Sequence, residues 1–164
     1  MKKHNFIWDI FLDYQKNKRD YCLWRWCTTC GNYKIRDQLF HKIIDELGIG
    51  FEKTNMKEGF LSLGNIRDRN LYNKMVDHLI KNLNDLSDSE IENILGPRPF
   101  YEEDKNQDDF MKFIIMEIYS SLRKWYQDRE EVLDFLKLKL SNKKILRIVD
   151  EMNDRYQKHQ LQSI

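Results

Sequence analysis

Leu71-Tyr-Asn-Lys-Met-Val-Asp-His-Leu-Ile-Lys-Asn-Leu83 sets apolar side chains at 71, 72, 75, 76, 79, 80 and 83. Those three- and four-residue steps align side chains along one face of an α-helix. Between them stand Asn, Lys, Asp and His, so the stretch predicts an amphipathic helix with one face for a core and one for water. The same period recurs on both sides. Phe6, Ile7, Ile10, Phe11 and Tyr14 predict a helix near 5–16, and Ile35, Leu39, Ile43 and Leu47 predict one near 34–47. The second stops at Gly48, which takes the left-handed conformation cheaply.

Further along, Ser87-Asp-Ser-Glu90 has the form of a capping box opening a short helix that ends at Gly96-Pro97. Ile115, Ile118, Leu122 and Trp125 mark a long helix, and Asp128-Arg-Glu-Glu131 reads as the N-terminus of the next, which Val132, Leu133, Leu136 and Leu140 continue. Ser141 is the expected cap for a last helix through Ile145, Ile148, Val149, Met152 and Tyr156. Residues 48–69 mix Gly48, Gly50, Gly59 and Gly64 with Phe51, Phe60 and Leu63, and read as a packed irregular loop. Residues 97–109 read as a polar loop that Phe100 and Tyr101 can pin at one end. The fold class is all-α, a bundle of about six helices. With no internal repeat and no shift in composition, residues 1–164 read as a single helical domain.

The chain contains no alanine, the best intrinsic helix former. Its helices must therefore depend on packing of large side chains. A length of 164 residues suffices for a core without disulfide staples, and three cysteines crowded into one stretch make no extracellular disulfide framework. No signal-peptide core forms around Asp9, and no apolar run reaches the ~18 residues that a membrane span needs. A cytoplasmic protein without a membrane partner is the expectation. Net charge is only +1, so bulk charge names no partner. Local charge is less even, with Lys16, Lys18, Arg19, Arg25, Lys34 and Arg36 early, and Glu102, Glu103, Asp104, Asp108 and Asp109 later.

All three cysteines lie in Tyr21-Cys-Leu-Trp-Arg-Trp-Cys-Thr-Thr-Cys-Gly31. Cys27 and Cys30 have zinc-knuckle spacing, with Cys22 and His41 as possible further ligands. An extended 21–26 would aim Cys22 away from Cys27, and His41 falls with Asp37, Gln38 and Asp45 on the polar side of its helix. A reactive Cys-x-x-Cys pair normally follows a strand, which this helical context does not offer. A reduced scaffold corner beside Trp24 and Trp26 is the preferred reading, with no cofactor and zinc as the alternative.

No phosphate-binding glycine loop, His-Glu-x-x-His helix or Gly-x-Ser-x-Gly elbow occurs, so the chain is not expected to be an enzyme. Glu103-Asp-Lys105 imitates part of a nuclease signature but sits in a loop among solvated charges. His4, His41, His78 and His159 are scattered on polar faces, and surface residence is the expectation for each.

Trp26-Cys-Thr-Thr-Cys-Gly31 followed by Ile35-Arg36 resembles a group of bacterial helical immunity proteins that guard cells against polymorphic contact-delivered toxins. That group carries a Cys-x-Thr-Cys-Gly turn ahead of an aromatic-Arg pair and a helix. The chain keeps the cysteines, Thr29, Gly31 and Arg36, and departs at Ile35. The resemblance implies a non-enzymatic inhibitor of a sibling cell's toxin, such as a nuclease. Tyr101, Glu102, Glu103, Asp104, Asp108 and Asp109 then make the candidate contact surface, suited to a phosphate-binding groove. The alternative partner is nucleic acid, met by Lys18, Arg19, Arg25, Lys34 and Arg36 around the cysteine turn.

Overall fold

Apolar side chains recurring at helical spacing can leave water only by packing helix on helix, and the computed structural model shows that arrangement. It describes residues 5–17, 32–50, 62–95 and 110–162, with side chains described for all but 32–34, 152 and 155–162. Seven α-helices lie among the described residues, with no strand. They are α1 (Phe6–Lys16), α2 (Asn32–Leu47), α3 (Arg69–Asn84), α4 (Asp88–Leu95), α5 (Phe110–Trp125), α6 (Arg129–Lys139) and α7 (Lys143–Gln162). A 3-10 turn at Leu63–Asn65 precedes α3. The expected irregular stretch is thus partly ordered: Leu63 and Ile66 are buried, while residues 51–61 lie outside the described part.

Five of the helix starts, those of α1, α3, α4, α6 and α7, have a side chain that satisfies orphan amides. Asn5 Oδ1 accepts from the amides of Ile7 at 3.0 Å and Trp8 at 3.4 Å, and Asp68 Oδ1 accepts from Asn70 and Leu71 at 2.9 and 3.3 Å. The capping box at α4 is reciprocal, with the Glu90 amide donating to Ser87 Oγ at 3.1 Å and the Ser87 amide to Glu90 Oε1 at 2.9 Å. Asp128 caps α6 through the Glu130 amide at 2.9 Å. At α7 the cap is Asn142 rather than the expected Ser141. Asn142 Oδ1 accepts from Lys144 and Ile145 at 2.9 and 3.3 Å. The Ser141 amide donates instead to Asn84 Oδ1 at 3.0 Å, which ties the α6–α7 link to the end of α3.

Helix α2 ends as expected at Gly48, with φ +68°. The Ile49 amide reaches Ile44 O at 2.9 Å and the Gly48 amide reaches Asp45 O at 3.2 Å, the paired bonds of a Schellman motif. Half-buried Ile49 packs back against the core, so the motif also fixes the exit direction of the chain.

The core is one cluster drawn from every helix. Helix α5 buries the widest arc, comprising Phe110, Met111, Phe113, Ile114, Ile115, Glu117, Ile118, Ser121 and Leu122. The 3-10 turn, α4 and α6 pack on it, α1 and α2 pack on α3, and α7 packs on α6. Phe110 meets the rings of Phe11 at 5.3 Å and Tyr14 at 5.6 Å, joining the start of α5 to α1. Burial of each such ring or aliphatic chain contributes about 1.5–3 kcal/mol, which replaces the propensity that alanine would supply.

The shifted cap at α7 gives a direct check. Asn142→Ala should lower unfolding free energy in denaturant titration by about 1 kcal/mol. Ser141→Ala, which leaves the amide bonded to Asn84, should stay within about 0.5 kcal/mol of the parent.

Candidate functional site

Of the residues singled out in the sequence, Cys22, Cys27 and Cys30, and the segment holding Tyr101, Glu102, Glu103, Asp104, Asp108 and Asp109, lie outside the described residues. Their chain neighbours are described. The cysteine stretch joins Asn17, after α1, to Asn32 at the start of α2, and these two helices pack together. The acidic stretch joins α4 to α5, which also pack together, and Phe110 directly after it is buried.

His41 sits on the exposed side of α2, as its spacing indicated. Asp37, one turn earlier, is half-buried. Removal from water pushes its carboxyl above the ordinary range, and the charge of His41 partly offsets this. Among the described residues no three His, Cys, Asp or Glu side chains assemble into a group that could hold a metal ion.

The chemistry brought together inside the described fold is a polar chain that sequence reasoning missed. Glu117 interrupts the apolar arc of α5 and is 8% exposed. Arg36 on α2 answers it, with Nε 2.9 Å from Glu117 Oε2, an ion pair by distance rather than an aligned hydrogen bond. Ser62 Oγ donates to Glu117 Oε1 at 3.0 Å and accepts from the Gly64 amide at 3.3 Å, capping the 3-10 turn. One helical turn further along α5, Ser121 Oγ lies 2.6 Å from the Tyr72 hydroxyl and donates to Ile118 O at 2.8 Å. Because the serine proton is committed to that carbonyl, Tyr72 is the donor of the shorter bond. Lys124 then donates to Gly64 O at 2.7 Å, clipping the turn to α5 a second time.

This arrangement is suited to holding elements in register. Both carboxylate oxygens of Glu117 are engaged, and the tyrosine and serine hydroxyls are spent on each other and on the backbone. The signal in the sequence was a single acid within Phe110-Met-Lys-Phe-Ile-Ile-Met-Glu-Ile118, a buried charge that requires a partner. Burial, with the charge of Glu117 adding to it, holds the Tyr72 hydroxyl well above the ordinary phenol range.

A second correction concerns His78, expected at the surface. It is 19% exposed, pairs through Nε2 with Glu46 Oε1 at 2.7 Å and stacks on Phe6 with centroids 5.8 Å apart. Asn82 donates to the His78 carbonyl at 2.9 Å, and the Asn82 carbonyl accepts from Asn5 at 2.7 Å. The group thereby links α2 and α3 to the cap of α1.

At the far end of α5 the half-buried rings of Trp125, Tyr126 and Phe135 form a run. The guanidinium of Arg69 lies 5.8 Å from the first two, Lys124 5.9 Å from the first and Lys139 5.8 Å from the third. Comparison of the chain with family models, curated proteins and solved structures finds no match.

Two outcomes follow from the polar chain. Arg36→Ala or Glu117→Ala alone should cost about 3 kcal/mol in denaturant unfolding. The paired replacement Arg36→Met with Glu117→Leu should cost clearly less than either, because no uncompensated charge remains buried. Tyr72 sets a pH dependence with a definite sign. Its raised folded-state pKa contributes stability that is complete below the unfolded tyrosine value of about 10 and is lost as pH rises above it. Unfolding free energy of the parent should therefore fall through that window, and Tyr72→Phe should flatten the fall while losing about 1 kcal/mol at neutral pH.

Proposed function

We propose that the chain is a non-enzymatic immunity-type protein that binds and neutralises a cognate protein toxin through Tyr101, Glu102, Glu103, Asp104, Asp108 and Asp109. The observation that carries this reading is where the acidic segment is rooted. It leaves α4, which starts in a reciprocal capping box, and enters α5 at Phe110, whose ring is held between Phe11 and Tyr14. An acidic, aromatic-edged stretch with both ends rooted in packed helices suits recognition of a basic groove, such as the phosphate-binding surface of a nuclease. Complementary charge there would mainly accelerate association and select the partner.

Arg36 supports the choice of a protein partner over nucleic acid. The nucleic-acid reading would use it against phosphate, yet its charge is already answered by Glu117 inside the fold. The same contact fits the resemblance, in which an arginine follows the cysteine turn at the start of a helix: here that arginine anchors α2 to α5.

The test uses the carboxy-terminal domain of a toxin encoded beside this chain and follows association by surface plasmon resonance at several ionic strengths. Reversal to Lys at Glu102, Glu103, Asp104, Asp108 and Asp109 should slow association at least about 10-fold and flatten its salt dependence. Unchanged rates and salt slope would remove the acidic segment as the contact surface. Affinity for RNA or DNA that exceeded affinity for the toxin would replace the reading itself.

A further inference from the structure

Helix α6 presents an outer stripe that the fold covers only in part, with Phe135 resting against Tyr126 and under Lys139 while Leu138 stands free. Glu131, Phe135, Leu138 and Lys139 stand at the i, i+4, i+7 and i+8 positions of one helical face. Leu138 is 82% exposed and, with Leu12 at 38%, is one of two exposed large hydrophobics among the described residues. Phe135 beside it is only half-buried. The stripe has an acid at its amino end, apolar groups in the middle and a lysine at its carboxyl end. Glu131 and Lys139 are separated by eight residues, about 12 Å along the axis at 1.5 Å per residue, too far to pair with each other. No ion pair engages either of them among the described residues, whereas Lys137 on the same helix pairs with Asp150 at 3.3 Å and Lys144 with Glu92 at 2.6 Å.

We infer that this face is self-complementary and that its occupant is a second copy of the chain, α6 packing antiparallel on α6 about a twofold axis through Phe135. In that register Glu131 of one copy stands opposite Lys139 of the other, twice by symmetry. The two Phe135 rings meet at the axis, and each Leu138 lies over the other copy's span from Glu131 to Phe135. A parallel arrangement would instead set Glu130 and Glu131 against their own copies, and Lys137 and Lys139 likewise. The charge order of the helix, acidic in its first turn and basic in its last, therefore selects the antiparallel orientation. Leu138 also argues against a polyanion on this face, since phosphates would leave it in water and meet Glu131 as a like charge.

A contact made by one 11-residue helix from each copy is small, so the dimer is a weak, reversible one. This inference does not rest on the toxin reading, which uses a different segment. It can fail or hold separately.

The test is sedimentation equilibrium of the full chain under reducing conditions, from about 5 μM to about 1 mM, with circular dichroism confirming that each variant keeps its helices. The parent should associate to a dimer. Glu131→Lys and Lys139→Glu should each weaken it at least about 10-fold, because either one places two like-charge contacts across the axis. The double variant, with both charges exchanged, should return to within about threefold of the parent. A chain that stays monomeric to about 1 mM, a dimer indifferent to all three variants, or a double variant no better than the single ones would each overturn the proposal.

Discussion

The carboxylate of Glu117 is the constraint around which the described fold is organised. It lies on the most deeply buried helix, where an unpaired charge would cost several kcal/mol. Arg36 must come from α2 and Ser62 from the stretch before the 3-10 turn to meet it. The geometry of those two partners sets where α2 and the turn lie against α5. Hydrophobic burial supplies the larger share of the driving force, but it is non-directional, and many slides of one greasy face over another would bury similar area. A charge that can be satisfied in one place removes most of them. Ser121, Tyr72 and Lys124 extend the same logic along α5, pinning α3 and the turn at further points.

The lack of alanine bears on the same division of labour. Side chains such as Ile, Phe and Tyr lose rotamer freedom in a helix, so each helix here begins with a deficit that tertiary contact must offset. Two features supply it. Caps at Asn5, Asp68, Ser87, Asp128 and Asn142 satisfy amides that would otherwise be orphaned, and rings meet rings between helices, as Phe110 does with Phe11 and Tyr14. A fold assembled this way ties helix formation to assembly of the core, since its short helices have little stability alone.

Local signals were legible in the sequence wherever local physics decides the outcome. The 71–83 stripe, the Ser87–Glu90 box, the Asp128 cap and the left-handed Gly48 all depend on residues within a few positions of one another. The α7 cap was displaced by one position because Ser141-Asn142 offers two capping side chains in a row, and the choice depends on Asn84, a residue of α3. Glu117 was visible as an oddity in an apolar run, but its partners are distant in the chain and no period points to them. His78 shows the same limit from the other side. Its polar neighbours in α3 suggested solvent, whereas Phe6 and Glu46, from α1 and α2, partly cover it. For function, the legible features are the cysteine turn and the acidic segment, which are compositional. What the three-dimensional arrangement adds is the mounting of each between packed helix pairs and the inward commitment of Arg36.

That commitment separates the cations of this chain by what answers them. Among the described residues Arg36, Lys137 and Lys144 face carboxylates, Arg36 with its guanidinium also 5.8 Å from the Phe113 ring, while Arg69, Lys124 and Lys139 lie over aromatic rings with no carboxylate paired to them. A cation neutralised by a carboxylate has little attraction left for an anionic partner. One over a ring keeps its full charge and loses some of its freedom, since the π-face orients it without cancelling it. Where α5 runs into α6 these cations stand near Asp68, Asp128, Glu130 and Glu131, so charges of both signs meet there. Negative potential is concentrated in sequence between α4 and α5, at the other end of α5. The two ends of this buried helix thus differ, one preceded by a mainly acidic segment and the other followed by charges of both signs, and such a difference favours partners that approach in one orientation over those that approach in any other.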